Sequence, residues 1–185
     1  METTSGKPFD WAFKAYAEGA VFTAFDIETT GLDPKSDRIV EIGAVKFDKR
    51  GLIARFSALI NPGIPMPAEA GRVNNISDEM LRGKPCLEQI LPDFLLFISS
   101  TVLAAHNAPF DCGFINEKLK TGLPNPIVDT LVFSRDIFPG RRSYSLQNLA
   151  AELGIPALDA HRAEDDARLC MEIFLRCTAR GQSAL

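Results

Sequence analysis

Long apolar runs are missing from this sequence. The longest uninterrupted one, residues 94–98, is five residues, against the roughly 18 that a membrane helix needs. No membrane span is therefore expected. Residues 1–10 are polar and lack the apolar stretch of a secretory signal. Cysteine is scarce and wrongly spaced for metal: Cys86, Cys112, Cys170 and Cys177 form no C-x-x-C pair, and no histidine neighbours them at zinc-ligand spacing. Reduced thiols in a cytoplasmic protein are the expectation. Only two histidines occur, His106 and His161, and a lone histidine is ordinarily a satisfied structural residue. Excess positive charge is lacking too, since 20 basic residues face 24 acidic ones for a net charge of −4. Proteins that grip nucleic acid by bulk charge are usually basic, so a general coat protein is excluded. An enzyme whose bound metal ions supply positive charge locally is not.

What is present is an ordinary globular composition, 46% hydrophobic and 24% charged over 185 residues, enough for one domain. Residues 1–19 read as an N-terminal extension, 20–180 as the main domain and 181–185 as a short tail. Phe9, Trp11, Phe13 and Tyr16 give the extension an aromatic side, suited either to packing on the domain or to binding a partner. Strands are expected at 21–27, 39–48 and 53–60, with turns that suggest an antiparallel meander. Residues 61–67 hold three prolines and must be irregular. Ser77 looks like the N-cap of a short helix. A helix over 86–99 has Leu87, Ile90, Leu91, Phe94 and Ile98 on one side, and Pro92 is expected to kink or split it. Strands at 101–106 and 127–130 alternate with helices at 109–120, 145–153 and 163–180. The pattern indicates an α/β or α+β layered fold with a mixed sheet.

Several acids in this pattern do not look structural. Asp26 and Glu28 lie in or at the end of an apolar strand, two residues and about 6.6 Å apart on one face. Such a pair is costly to bury unless a cation neutralises it. Asp111 falls in the first turn of a helix, where an acid also favours the helix dipole. Asp166 shares a helical stripe with Cys170, Ile173 and Cys177 and is expected to face inward. Asp165, on a more polar side, is expected to be a solvated cap. His161 stands five residues before Asp166. Carboxylates about 4 Å apart repel by about 4 kcal/mol at an effective dielectric near 20. A convergence of four therefore needs cations or protons. Oxygen ligands select Mg²⁺ or Mn²⁺, and two such ions suit in-line phosphoryl displacement.

The segment Phe25-Asp-Ile-Glu-Thr-Thr-Gly-Leu32 resembles the first motif of the DEDDh 3′→5′ exonucleases, a family that includes proofreading epsilon-type domains of bacterial DNA polymerases. His106-Asn-Ala-Pro-Phe-Asp111 resembles the second motif, and His161 with Asp166 the third. Residues 61–62 and 76–79 are also similar to epsilon-type stretches. The resemblance spans about residues 20–178. It implies a ribonuclease H-like fold, a five-stranded mixed sheet flanked by helices. It also implies release of nucleoside 5′-monophosphates with two Mg²⁺ or Mn²⁺ ions. By position, Asp26 would bridge the ions, Glu28 and Asp166 would complete one site, and Asp111 would hold the other. His161 would be the general base.

Thr29 and Thr30 resemble residues that hold the terminal sugar, and Leu32 and Phe110 the apolar wall for the last base. Asn107 is a candidate substrate contact, and His106 a loop support. In place of the His-Gly that epsilon-type domains often carry, this chain has Asn74-Asn75. Residues 118–142 carry a net charge of +3, and Arg141 and Arg142 are candidates to guide the incoming strand. The expected substrate is single-stranded DNA, and the expected partner a DNA polymerase subunit. An RNA 3′-end-trimming exonuclease and a non-catalytic polymerase-binding module are the alternatives.

Overall fold

The computed structural model describes residues 8–159 and 161–182; residues 1–7 of the extension and 183–185 of the tail lie outside them. Strands β1 (Phe22–Thr29), β2 (Ile39–Asp48) and β3 (Gly51–Leu59) form the antiparallel meander. β4 (Val102–Ala105) and β5 (Ile127–Asp129) follow in parallel, giving a sheet of order β3-β2-β1-β4-β5. The helices are α1 (Asp10–Ala17), α2 (Ala68–Asn74), α3 (Asp78–Leu81), α4 (Leu87–Ile98), α5 (Ala108–Leu119), α6 (Thr130–Ile137), α7 (Leu146–Glu152) and α8 (Ala163–Gln182). This is the mixed five-stranded sheet flanked by helices that the sequence implied.

Strand alternation sorts β1 between two cores. Phe22 and Ala24 pack with α8, α6 and α7 residues such as Phe174, Phe133 and Leu149. Phe25 and Ile27 pack on the other face against Phe94 of α4 and Phe114 and Ile115 of α5. Because side chains alternate with period two, Asp26 and Glu28 inherit the α8 face. Gly43 of β2 lets that helix sit close, since a Cβ there would overlap the main chain of Ala163 and Glu164.

The extension carries α1. Its Phe9 and Phe13 rings lie 4.8 and 5.1 Å from Phe133, and Tyr16 lies 5.5 Å from Phe174. Trp11 remains 41% exposed. Pro92 does not split α4, which continues through it from Leu87 to Ile98. The hydrogen bond its ring removes would have gone to the carbonyl of Glu88, four residues back at an exposed first turn, where water can replace it. The short α2 was not expected. It ends at Asn75, held at φ 56° in the left-handed region that asparagine tolerates in a glycine's place.

Candidate active site

The sheet and α8 bring three acids together. Carboxylate oxygens of Asp26, Glu28 and Asp166 all lie within 4.8 Å of one another. Asp111 approaches from α5. Pairing between β1 and β4 ends at Ala24 and Ala104, and beyond it Asp111 Oδ1 accepts the main-chain N–H of Ile27 at 3.1 Å. A buried N–H that the ladder leaves unpaired is thus satisfied by a carboxylate. Asp111 and Asp166 are 3% and 6% exposed.

None of these four acids forms an ion pair with lysine or arginine among the described residues. Burial is the first cause raising each pKa. Asp26 is pushed well above the usual carboxylate range, next by the charges of Asp111, Glu28 and Asp166. Glu28 is pushed to about 8, with Asp166 and Glu41 adding to burial. Asp111 is also raised to about 8. Asp166 rises only to about 6, because the Gln147 amide and His161 favour its charged form. A crowded, oxygen-only donor set without a protein cation fits hard divalent metal ions.

Two of the acids, Asp26 and Asp166, line a cleft of about 780 Å³ together with His161, Gln147, Asn107 and Arg135, among others. His161 is exposed and held at φ 61°, where a non-glycine residue is uncommon. His106 lines the same cleft but is tied down. Its Nε2–H donates to the Tyr144 carbonyl at 2.7 Å, and its Nδ1 lies 3.0 Å from the Thr130 hydroxyl. Burial pushes its pKa down. It fastens the segment before α7 to β4, a loop support as expected.

The other expected substrate residues are placed as follows. Thr29 Oγ1 donates to the Gly31 carbonyl at 2.6 Å, and Thr30 Oγ1 donates to Asp37 while accepting the Arg38 N–H. Both hydroxyls shape the loop after β1. Leu32 is 83% exposed, and Phe110 stacks at 5.2 Å on Phe114. Asn107 is exposed and left-handed at φ 71°. Arg141 pairs with Glu152 and lies over Phe138, so it does not line the cleft; Arg142 is exposed. Asn74 is buried and donates to the Thr29 carbonyl at 3.2 Å, steadying the end of β1.

One expectation is corrected. Asp165 is not a solvated cap but only 8% exposed. Its Oδ2 accepts the N–H groups of Leu158 and Asp159, and Oδ1 accepts Arg168 Nε at 2.7 Å. The segment before α8 folds back over it, which helical periodicity alone could not reveal.

Two residues, Gln147 and Glu41, escape the sequence reading, while Arg135 falls within the basic segment 118–142 expected to guide the strand. Gln147 donates to Asp166. Arg135 is a basic side chain of the cleft wall, 5.6 Å from the Tyr144 ring centre. Glu41, 1% exposed, stands opposite Glu28 on β2. An acid inside the apolar run Ile-Val-Glu-Ile-Gly-Ala-Val carries the same signal that exposed Asp26.

Comparison with known proteins agrees with this arrangement. The exonuclease (RNase T) family profile matches residues 23–174. The DNA polymerase III subunit epsilon of Treponema pallidum is 51% identical over 172 residues, 90% of this chain and 80% of that protein. The PolC-type DNA polymerase III of Clostridium perfringens is 40% identical over 157 residues, of which this chain spans 11% of the length. Among solved structures, exonuclease X in complex with 5′-overhanging duplex DNA superposes with a TM-score of 0.72 and 26% identity, covering 85% of this chain and 91% of that one. The chain belongs to the exonuclease family.

Proposed function

We propose that this chain is a metal-dependent 3′→5′ exonuclease of the DEDDh type. It hydrolyses phosphodiester bonds at 3′ ends of single-stranded DNA, releases nucleoside 5′-monophosphates and serves proofreading beside a DNA polymerase subunit. One observation carries this reading: acids without a protein cation converge within 4.8 Å beside a histidine at an open cleft. Asp26, Glu28, Asp166 and Asp111 would hold two Mg²⁺ or Mn²⁺ ions, with Asp26 shared between them. When bound, such ions polarise the phosphoryl oxygens and make water a nucleophile at neutral pH.

His161, exposed at the cleft, accepts the proton of the attacking water. The loop of Thr29 and Thr30 seats the terminal sugar through its main chain, because both hydroxyls are engaged. Leu32 and Phe110 flank the last base. Asn107 and Arg135 meet the phosphates behind it, with Arg142 exposed beside Ser143 of the cleft wall. Arg141 is committed to Glu152, so the guiding role passes to Arg135. Residues 20–180 form the catalytic unit. The four free cysteines suit a reducing compartment, the cytoplasm.

The test is hydrolysis of 5′-end-labelled single-stranded DNA and RNA of equal length. DNA ladders shortening from the 3′ end with Mg²⁺ or Mn²⁺, and none in EDTA, are expected. Preferential RNA trimming would move the substrate to RNA. Turnover undiminished in EDTA would remove the metal reading.

A further inference from the structure

Glu41 and the segment 161–163 meet across the edge of the cleft. Both Glu41 oxygens are occupied. Arg162 Nη2 donates to Oε1 at 2.7 Å and Nε to Oε2 at 3.1 Å, a two-pronged fork. The main-chain N–H of Ala163 adds a third bond, to Oε2 at 3.1 Å. Two residues along the same face of β2, Gly43 leaves the space into which Ala163 and Glu164 settle. The strand thus offers a seat made of an acid and a gap, and the chain just after His161 occupies it.

The His161 side chain has no such anchor, although its main-chain N–H is hydrogen-bonded to Asp166. Its side chain makes no hydrogen bond among the described residues, and its backbone adopts φ 61°. That conformation is disfavoured for an L-residue and persists only where neighbours impose it. Next to it in the chain stands Arg162. It reaches toward the sheet to Glu41, while His161 lines the cleft with Asp26 and Asp166. On the upstream side the loop is held by Asp165 on Leu158 and Asp159 and by Arg168 on the Pro156 carbonyl, and Arg162 also reaches it, 3.8 Å from the Asp159 carboxylate.

We infer that Glu41 and Arg162 are positioning residues that fix His161 at the reacting phosphate, without touching substrate themselves. The inference rests on His161 acting as the base. A planar fork suits this task better than a lysine, because two parallel bonds fix orientation as well as distance. A displacement of about 1 Å at a reacting group costs about 10²-fold in rate.

The test is a double-mutant cycle against His161→Ala, read as single-turnover hydrolysis of end-labelled DNA at saturating Mn²⁺. Thermal stability and Mn²⁺ affinity are measured alongside. Glu41→Gln with Arg162→Gln keeps both sites polar and uncharged. It is expected to lower the rate about 10²-fold while KM and Mn²⁺ affinity stay within about twofold. In the His161→Ala background the same pair should lower the rate by less than about twofold, because residues that act as one unit are not additive. Should the double variant not fold, Arg162→Lys carries the test with an expected loss of about tenfold, again absent without His161. An equal loss in both backgrounds, or a parallel loss of Mn²⁺ affinity, would overturn the inference and assign the pair to the acids or the fold. If His161→Ala alone left the rate unchanged, the base assignment itself would fall, a separate result.

Discussion

Glu28 and Glu41 face each other in register on neighbouring strands, yet their surroundings are opposite. Glu41 is matched by an arginine fork and a main-chain N–H. Glu28, with Asp26, Asp111 and Asp166, has no arginine or lysine bonded to it among the described residues, and all four are held above the usual carboxylate range. Asp165 and Asp166 repeat the contrast side by side on α8, the first bonded to Arg168, the second turned to the cluster. A buried acid closed by arginine is compensated within the protein and needs no cation. A group of buried acids left without one is destabilising in the bare protein and marks a place for cations. The two sets should therefore respond oppositely to neutralisation.

The largest expected effect is that of Asp26→Asn on turnover. With the shared ligand gone, loss of at least about 10³-fold follows, equivalent to about 4 kcal/mol of barrier. The same variant should melt higher than the parent in EDTA, because a carboxyl that burial and neighbouring acids hold well above its usual range is removed. Glu41→Gln should do the reverse to stability, costing about 1.5–3 kcal/mol of charge-assisted hydrogen bonding. Calorimetry of both variants in EDTA checks the opposition, and melting points moving the same way would break it.

A second test uses pH. Glu28 titrates at about 8 in the folded chain, against roughly 4.3 unfolded. A folded pKa above the unfolded one means the unfolded chain releases its proton first. The contribution to stability is full below about pH 4.3 and is lost as pH rises toward about 8. In EDTA, the melting point of Glu28→Gln minus that of the parent should thus grow across this window. Saturating Mn²⁺ should reverse the trend in the parent by mass action. A difference flat with pH would contradict the assignment.

The smallest expected effect lies at the cleft wall. Arg135→Ala should weaken single-strand binding and reduce the salt slope by about 0.7, the amount for one phosphate. Arg141→Ala, which releases Glu152 instead of a phosphate contact, should leave that slope unchanged. Titrations at several salt concentrations separate the two.

These contrasts also explain what the sequence made legible. Asp26 and Glu28 stood out because strand alternation puts two acids on one apolar face, and helix periodicity turned Asp166 inward. Strand β2 matched its expected limits, since branched and aromatic residues between a loop and a turn leave little choice. Non-local pairing was not legible. Asp165 looked solvated because two of its partners, Leu158 and Asp159, come from a loop folded back over the helix, and its third, Arg168 one turn along α8, is tied to the same loop at the Pro156 carbonyl. Arg141 looked free because Glu152 lies a loop away on α7. Helix α2, seven residues with a central glycine, shows too little periodicity to announce itself.

The central claim is that the unpaired acids, and not the arginine-closed ones, form the cation site. Titration of the parent, Asp26→Asn and Glu41→Gln with Mn²⁺, followed by electron paramagnetic resonance, tests it most directly. The account predicts saturable binding of two ions in the parent and in Glu41→Gln, and its collapse in Asp26→Asn. No saturable binding in the parent, or equal weakening in both variants, would contradict it.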